Sequence, residues 1–206
     1  FWNSTNQKIL VIVPIDNDIS LVDGAVQVLV SFDGSDTLEI GDPNIITESN
    51  VNDTIAISRI EFINSENYAE GALALFTARI NDFAGYTKIG TPSANQIKVD
   101  QTGPILDSIA IESDNLYSNQ GAKYTDDVSV TFRPLEDIMT PFILIAGDTA
   151  DNVTQIGDNW IATRTMQVTD VEGVITFSFT PKDLAGNPGS PSTQTTDGSR
   201  VILDNS

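Results

Sequence analysis

Cysteine and histidine are both missing from this 206-residue chain. Their absence rules out zinc sites of the thiolate or imidazole kind, thiol nucleophiles, and every catalytic triad that runs through histidine. Disulfides are excluded too, so the fold must be held by core packing, with or without bound metal. Positive charge is scarce: 10 Lys and Arg stand against 29 Asp and Glu, a net charge of −19. Phosphate contacts need cations, which argues against nucleic acid as a partner and disfavours anionic membrane surfaces. No run of about 18 apolar residues occurs, so no membrane-spanning helix and no membrane insertion are expected. A basic-then-apolar leader is also lacking, and the polar opening FWNSTNQK reads as the interior of a longer protein or a processed chain. Helical periodicity is the last absence, since no window of a dozen residues keeps it.

What is present is strand pattern. VSVTFR places Val128, Val130 and Phe132 opposite Ser129, Thr131 and Arg133; VITFSFT does the same with Ile175, Phe177 and Phe179. This period of two belongs to half-buried antiparallel strands, and Pro, Gly and Asx clusters punctuate them. The chain is therefore expected to be all-β.

The last third also repeats the middle. EGALALFTARINDFAG…NQIKVDQTGP, from Glu70 to Pro104, reads against EGVITFSFTPKDLAGNPG…SRVILDNS, from Glu172 to Ser206. Each copy runs strand, Asp-x-Ala-Gly turn, polar loop, short strand, Asp. A period near 100 residues is too long for a solenoid and suits one small β-sandwich. Two tandem domains follow, 1–101 and 102–206, joined at VDQTGP by a short linker. The second reads as seven strand segments, with Trp160 and Met166 in its core. The first aligns KILVIVPIDND with VSVTFRPLED and GAVQVLVSFDG with TPFILIAGD, so it starts one strand late and lacks its initial strand.

Three finer expectations come from this alignment. The first domain carries about 19 extra residues, placed in SDTLEIGDPNIITESNVNDT as a long loop or edge hairpin. Its last long strand is one residue longer than its counterpart, which calls for a β-bulge near Leu75 and Phe76. KILVIVPI is apolar on both faces; Leu10 and Ile12 take the inward register of Val130 and Phe132. The outward Ile9, Val11 and Val13 are then covered by the extra segment or by another chain.

The pattern YTDDVSVTF…IAGDTADNV…NWIATRTM…EGVITFSFTPKDLAGN…TTDGSRVILD resembles the bacterial Ig-like tandem repeats of large extracellular, adhesin-type surface proteins. The opening WNSTNQKILVIVPIDNDISLVDGAVQV resembles a sister repeat of the same proteins. The resemblance implies two tandem Ig-like antiparallel β-sandwich domains at the cell surface or outside the cell. It implies neighbouring Ig-like repeats of the same chain as partners. The lack of cysteine fits a bacterial surface protein.

The acidity has two readings: a solvated surface that keeps the chain soluble, or Asp-rich loops that hold divalent cations. In a sandwich of this topology the DLAGN turn at Asp183 lies near Glu136 and Asp137, facing the incoming Asp100 and Gln101. Carboxylate, amide and backbone oxygens are the ligands Ca²⁺ requires. The alternative is that Asp183 caps its own turn while Gly186 takes a positive φ. The first domain offers Asp82 with Asp16, Asn17 and Asp18, although DNDISLVDG lacks EF-hand spacing. Asp36, Glu39 and Asp42 are the nearest approach to a catalytic carboxylate group, and they read as a solvated loop. Sequons at Asn3, Asn52 and Asn152 are near chance frequency for this composition.

No enzyme is expected. The first functional reading is a non-catalytic spacer or adhesive array, contacting surface glycans or proteins. The second is a subunit of an extracellular filament or sheath, in which identical chains complete the first domain by strand addition. The third is an accessory module of a secreted carbohydrate-active enzyme, which a surface row of aromatics would favour.

Overall fold

Two units make up the computed structural model, which describes residues 1–206: Phe1–Gln101 and Thr102–Ser206. The first runs β1 (Lys8–Pro14), a 3-10 turn (Ile19–Leu21), β2 (Ala25–Phe32), β3 (Leu38–Ile45), β4 (Asn52–Ser58), α1 (Arg59–Ile63), β5 (Leu73–Asn81), β6 (Thr87–Ile89) and β7 (Ile97–Lys98). One of its sheets has the order β3-β2-β5-β6, with β7 continuing along β5; the other holds only β1 and β4. β2 is central because AVQVLVSF is buried along almost its whole length. Valines there fill the space between sheets, while the buried Gln27 side chain donates to the carbonyls of Val28, Ile40 and Gly41.

Short as it is, α1 organises the aromatic end of this core. Ser58 and Glu61 form a reciprocal capping box, which satisfies two helix-start donors and stabilises five residues that have no helical period to announce them. The helix delivers Phe62, fully buried, against Trp2 at 4.9 Å between ring centres and against Phe32, Tyr68 and Phe76.

The second unit runs β8 (Leu106–Ser113), β9 (Gly121–Ala122), β10 (Asp127–Pro134), β11 (Ile143–Ile145), β12 (Asp148–Thr149), β13 (Asn152–Ile156), β14 (Asn159–Thr165), β15 (Gly173–Val174), β16 (Phe177–Phe179) and β17 (Ile202–Leu203). One sheet has the order β13-β14-β10-β8; opposite it lie β12-β11-β16 and β15-β17-β9. β15 and β16 are the two halves of GVITFSF, so they continue one line of chain. A four-stranded sheet formed by strands one, two, four and five of the sandwich, facing a sheet of the third, sixth and seventh, is the Ig-like arrangement. Trp160 and Met166 lie in its core. So does the guanidinium of Arg164, which donates to both oxygens of Asp170 at 2.7 and 2.8 Å and to exposed Asp148 at 3.1 Å.

The first unit has the same plan with pieces removed. β1 and β4 correspond to β10 and β14, and no strand corresponds to β8. What remains of the chain start is one parallel bridge, Trp2 to Val99, matching the parallel pairing of β9 with β17. Both units are thus Ig-like antiparallel β-sandwiches, and the first lacks its initial strand.

Three expectations are corrected. Leu10 and Ile12 face outward, 54% and 63% exposed, whereas Ile9 and Val13 are buried and Val11 is half-buried. The prolines do not mark equivalent registers: Phe132, buried in β10, stands two residues before Pro134, whereas Val13, buried in β1, stands one residue before Pro14. The extra segment does not cover the outer face of β1; its regular part is β3, which hydrogen-bonds to β2 at the edge of the opposite sheet. β5 has no bulge at Leu75 or Phe76, because it pairs with β2 without interruption from Asn81 to Ala74. The irregularity lies in the second unit instead, where Ile175 and Thr176 separate β15 from β16.

Candidate functional site

The Asp-x-Ala-Gly turns are built alike in both units. In the first, the Asp82 carboxylate accepts from the Tyr86 N–H at 2.8 Å, its carbonyl accepts from Gly85, and Gly85 has φ +90°. In the second, Asp183 accepts from the Asn187 N–H at 2.8 Å, its carbonyl accepts from Gly186, and Gly186 has φ +91°. The positive φ is the reason glycine stands at that position. Both aspartates therefore cap their own turns.

Burial separates the two. Asp183 is 1% exposed, and its second carboxylate oxygen accepts from the Asn187 side-chain amide at 2.8 Å. Its backbone bridges Ile138, and the Met139 N–H donates to Lys182, which draws the PLEDIM loop onto the turn. A carboxylate oxygen of exposed Glu136 thereby comes within 4.8 Å of one of Asp183. Asp137 is exposed beside it. Each Asp183 oxygen keeps a lone pair beyond its bond to Asn187, and an all-oxygen donor set suits a hard cation.

In the first unit Asp100 is buried, its N–H donating to the Trp2 carbonyl and its carboxylate 3.8 Å from the Lys98 ammonium. Gln101 is engaged as well: its N–H donates to Glu70, and its side-chain amide donates to the Tyr68 hydroxyl. Asp18 accepts from the N–H and hydroxyl of Ser20, which hold its carboxyl below the usual range. Asp16, Asp18 and Asp82 line one groove. In the Asp36 to Asp42 segment, Glu39 sits on β3 in an ion pair with Arg79 at 2.7 Å.

That groove is the feature sequence reasoning missed. It measures about 550 Å³ and runs between β1 and the β5–β6 hairpin, with Val11, Ile12 and Val13 on one wall and Phe76, Ala78 and Ile80 on the other. The signal for it was indirect: a missing first strand implies an unfilled place beside the second.

No protein-family model matches the chain, and no curated protein is similar to it in sequence. Among solved structures, a chimeric titin Z1Z2 functionalised with an exogenous KLER peptide from decorin is similar at 10% identity and a TM-score of 0.32, covering 98% of this chain and 100% of its own. The Bacteroides ovatus mixed-linkage glucan utilisation locus protein SGBP-B, in complex with a mixed-linkage heptasaccharide, is similar at 15% identity and a TM-score of 0.25. That likeness covers 96% of this chain and 48% of the other.

Proposed function

We propose that the chain is a non-catalytic structural module, two successive Ig-like sandwiches of a longer extracellular or cell-surface repeat protein that serves as a spacer or adhesive array. The observation that carries this reading is the duplicated turn: the same strand, capped aspartate and glycine recur in both units, with each carboxylate bonded to the backbone of its own turn. Repetition of one sandwich extends reach and multiplies weak contacts. A panel of glycan, ester and peptide substrates tests the absence of chemistry. Turnover that disappears on substitution of Asp36, Glu39 or Asp42 would overturn the reading, and retention on an immobilised panel of surface glycans and proteins would identify the adhesive contact.

Calcium belongs to the same proposal. Glu136 and Asp183 offer carboxylate oxygens at one end of the second unit, and a cation there would tie the PLEDIM loop to the DLAGN turn. A ligand that binds only the folded state stabilises it by about 2.7 kcal/mol at a hundredfold excess over Kd. The melting midpoint is therefore expected to rise between EDTA and millimolar Ca²⁺. Glu136→Gln, at an exposed position that leaves the turn intact, should reduce the rise; identical curves in both buffers would remove calcium from the reading.

A further inference from the structure

The second unit opens on one side, where the chain leading into β17 leaves β16. Phe179 exchanges hydrogen bonds with Ser192 in both directions, and the Ile175 N–H donates to the Val201 carbonyl. Between these two anchors the 192–201 segment takes a longer path than β16 and crosses to β8. There the Thr196 N–H donates to the Ile109 carbonyl, and the Ser199 hydroxyl accepts from the Ile111 N–H. The detour leaves Phe177 facing a gap. The Ala146 N–H bonds to the Thr176 carbonyl, so Thr176 and Ser178 are the residues that bond to β11, and the N–H and C=O of Phe177 point the other way. Both anchors lie inside the sandwich, and the gap follows from its own strand path.

Two adjoining grooves of about 350 and 300 Å³ occupy this side and meet at Thr193. Each falls at the lower end of the range of small-molecule sites, about 300–1,000 Å³. Their chemistry departs from the rest of an acidic chain: no carboxylate lines either one, whereas three line the groove of the first unit. The larger groove is bordered by Thr176, Thr193, Gln194 and Arg200. Arg59, Arg79, Arg133 and Arg164 are each held by a carbonyl or a carboxylate. Arg200 is the one arginine with no such partner, and it is exposed. In the smaller groove Phe142, 67% exposed, stands with Leu144 and Thr180.

We infer that this side of the second unit binds an acidic saccharide, a sugar that carries a carboxylate among its hydroxyls. Arg200 takes the carboxylate in a two-pronged contact. The hydroxyl and amide groups of Thr176, Thr193 and Gln194, with the N–H and C=O of Phe177, take the ring hydroxyls. The Phe142 ring covers the C–H face of a neighbouring sugar in the smaller groove. A peptide strand does not fit, because a single unpaired residue of β16 offers no ladder to extend. Nucleic acid and polyphosphate are opposed by a net charge of −19 around one guanidinium. The inference rests on the adhesive reading of the chain and names its contact.

The probes are glucose disaccharides ending in glucuronate or galacturonate, their methyl esters, and the neutral glucose disaccharide, each titrated into the full chain while amide shifts are followed by NMR. The acids are expected to shift the Phe177 and Thr193 amides and to bind about tenfold or more tightly than their esters. Arg200→Gln should bring each acid down to the affinity of its ester, and Arg200→Lys should keep part of the difference. Phe142→Ala should weaken acid and ester by the same factor, because stacking does not read the charge. Both side chains are exposed, so these variants leave the core intact. Equal binding of acid and ester, acid affinity unchanged in Arg200→Gln, or no shift with any of the probes would each overturn the inference. So would an acetylated dipeptide with a free C-terminal carboxylate that bound the same residues as tightly as the sugar acids. Sugar binding elsewhere on the chain would remove this site and keep the adhesive reading, which fails only if an immobilised panel of glycans and proteins retains nothing.

Discussion

Arg164 shows how a buried charge is made tolerable in a sandwich core. Its side chain is 6% exposed and that of Asp170 is 5%, and the two meet in a two-pronged contact. Hydrogen bonding from Arg164 outweighs burial and holds the Asp170 carboxyl below its usual range, while the same contact raises the guanidinium further. A carboxyl depressed in the folded state contributes stability that is complete above the unfolded value of about 4 and is lost as pH falls through the folded one. Asp170→Asn should cost about 3–5 kcal/mol at pH 7, because it leaves a buried cation with only the exposed Asp148 as counter-charge. Urea unfolding at pH 7 and pH 3 should also show a weaker acid dependence in the variant than in the parent. Equal slopes would mean that the pair does not govern acid stability.

At the scale of the element, β1 is the instructive strand. Ile12→Lys on its outer face should change stability by less than about 0.5 kcal/mol, whereas Ile57→Ala on the inner face of its partner should cost about 2–5 kcal/mol. Chemical denaturation of both variants checks which face is which, and a large loss from Ile12→Lys would restore the inward register. The strands themselves were legible, because alternation in VSVTFR and VITFSFT has only one periodic explanation. KILVIVPI gave no such answer: a run apolar at every position from Ile9 to Ile15 fits either register, and the proline used to align it stands at different phases of the inward pattern in the two units. α1 went unseen because five residues cannot establish a period, although Ser58-x-x-Glu61 was there to be read. The self-capping of Asp183 was legible from the Asp-x-Ala-Gly spacing. The closeness of Glu136 was anticipated only through topology.

Across the whole molecule, stability should be unequal. The second unit covers its core with a four-stranded sheet on one face, the first with two strands and an open edge. Backbone groups along that edge exchange with water, and fewer cross-strand pairs secure β1 and β4. Hydrogen exchange resolved by unit should therefore give lower protection in residues 1–101 than in 102–206. Equal protection in a demonstrated monomer would show that the first sandwich needs no further strand.

A pulled chain, however, would probe the units differently. Trp2 enters the first unit parallel to Val99, so tension on the two ends of that unit drags the strands past one another in shear. The Trp2 N–H to Lys98 and Asp100 N–H to Trp2 hydrogen bonds must then break together rather than in turn. The indole buried behind them acts as a latch at the point where load enters. In single-molecule extension Trp2→Ala should lower the rupture force of the first unit while leaving the second unit's peak in place; an unchanged pair of peaks would place the mechanical clamp elsewhere.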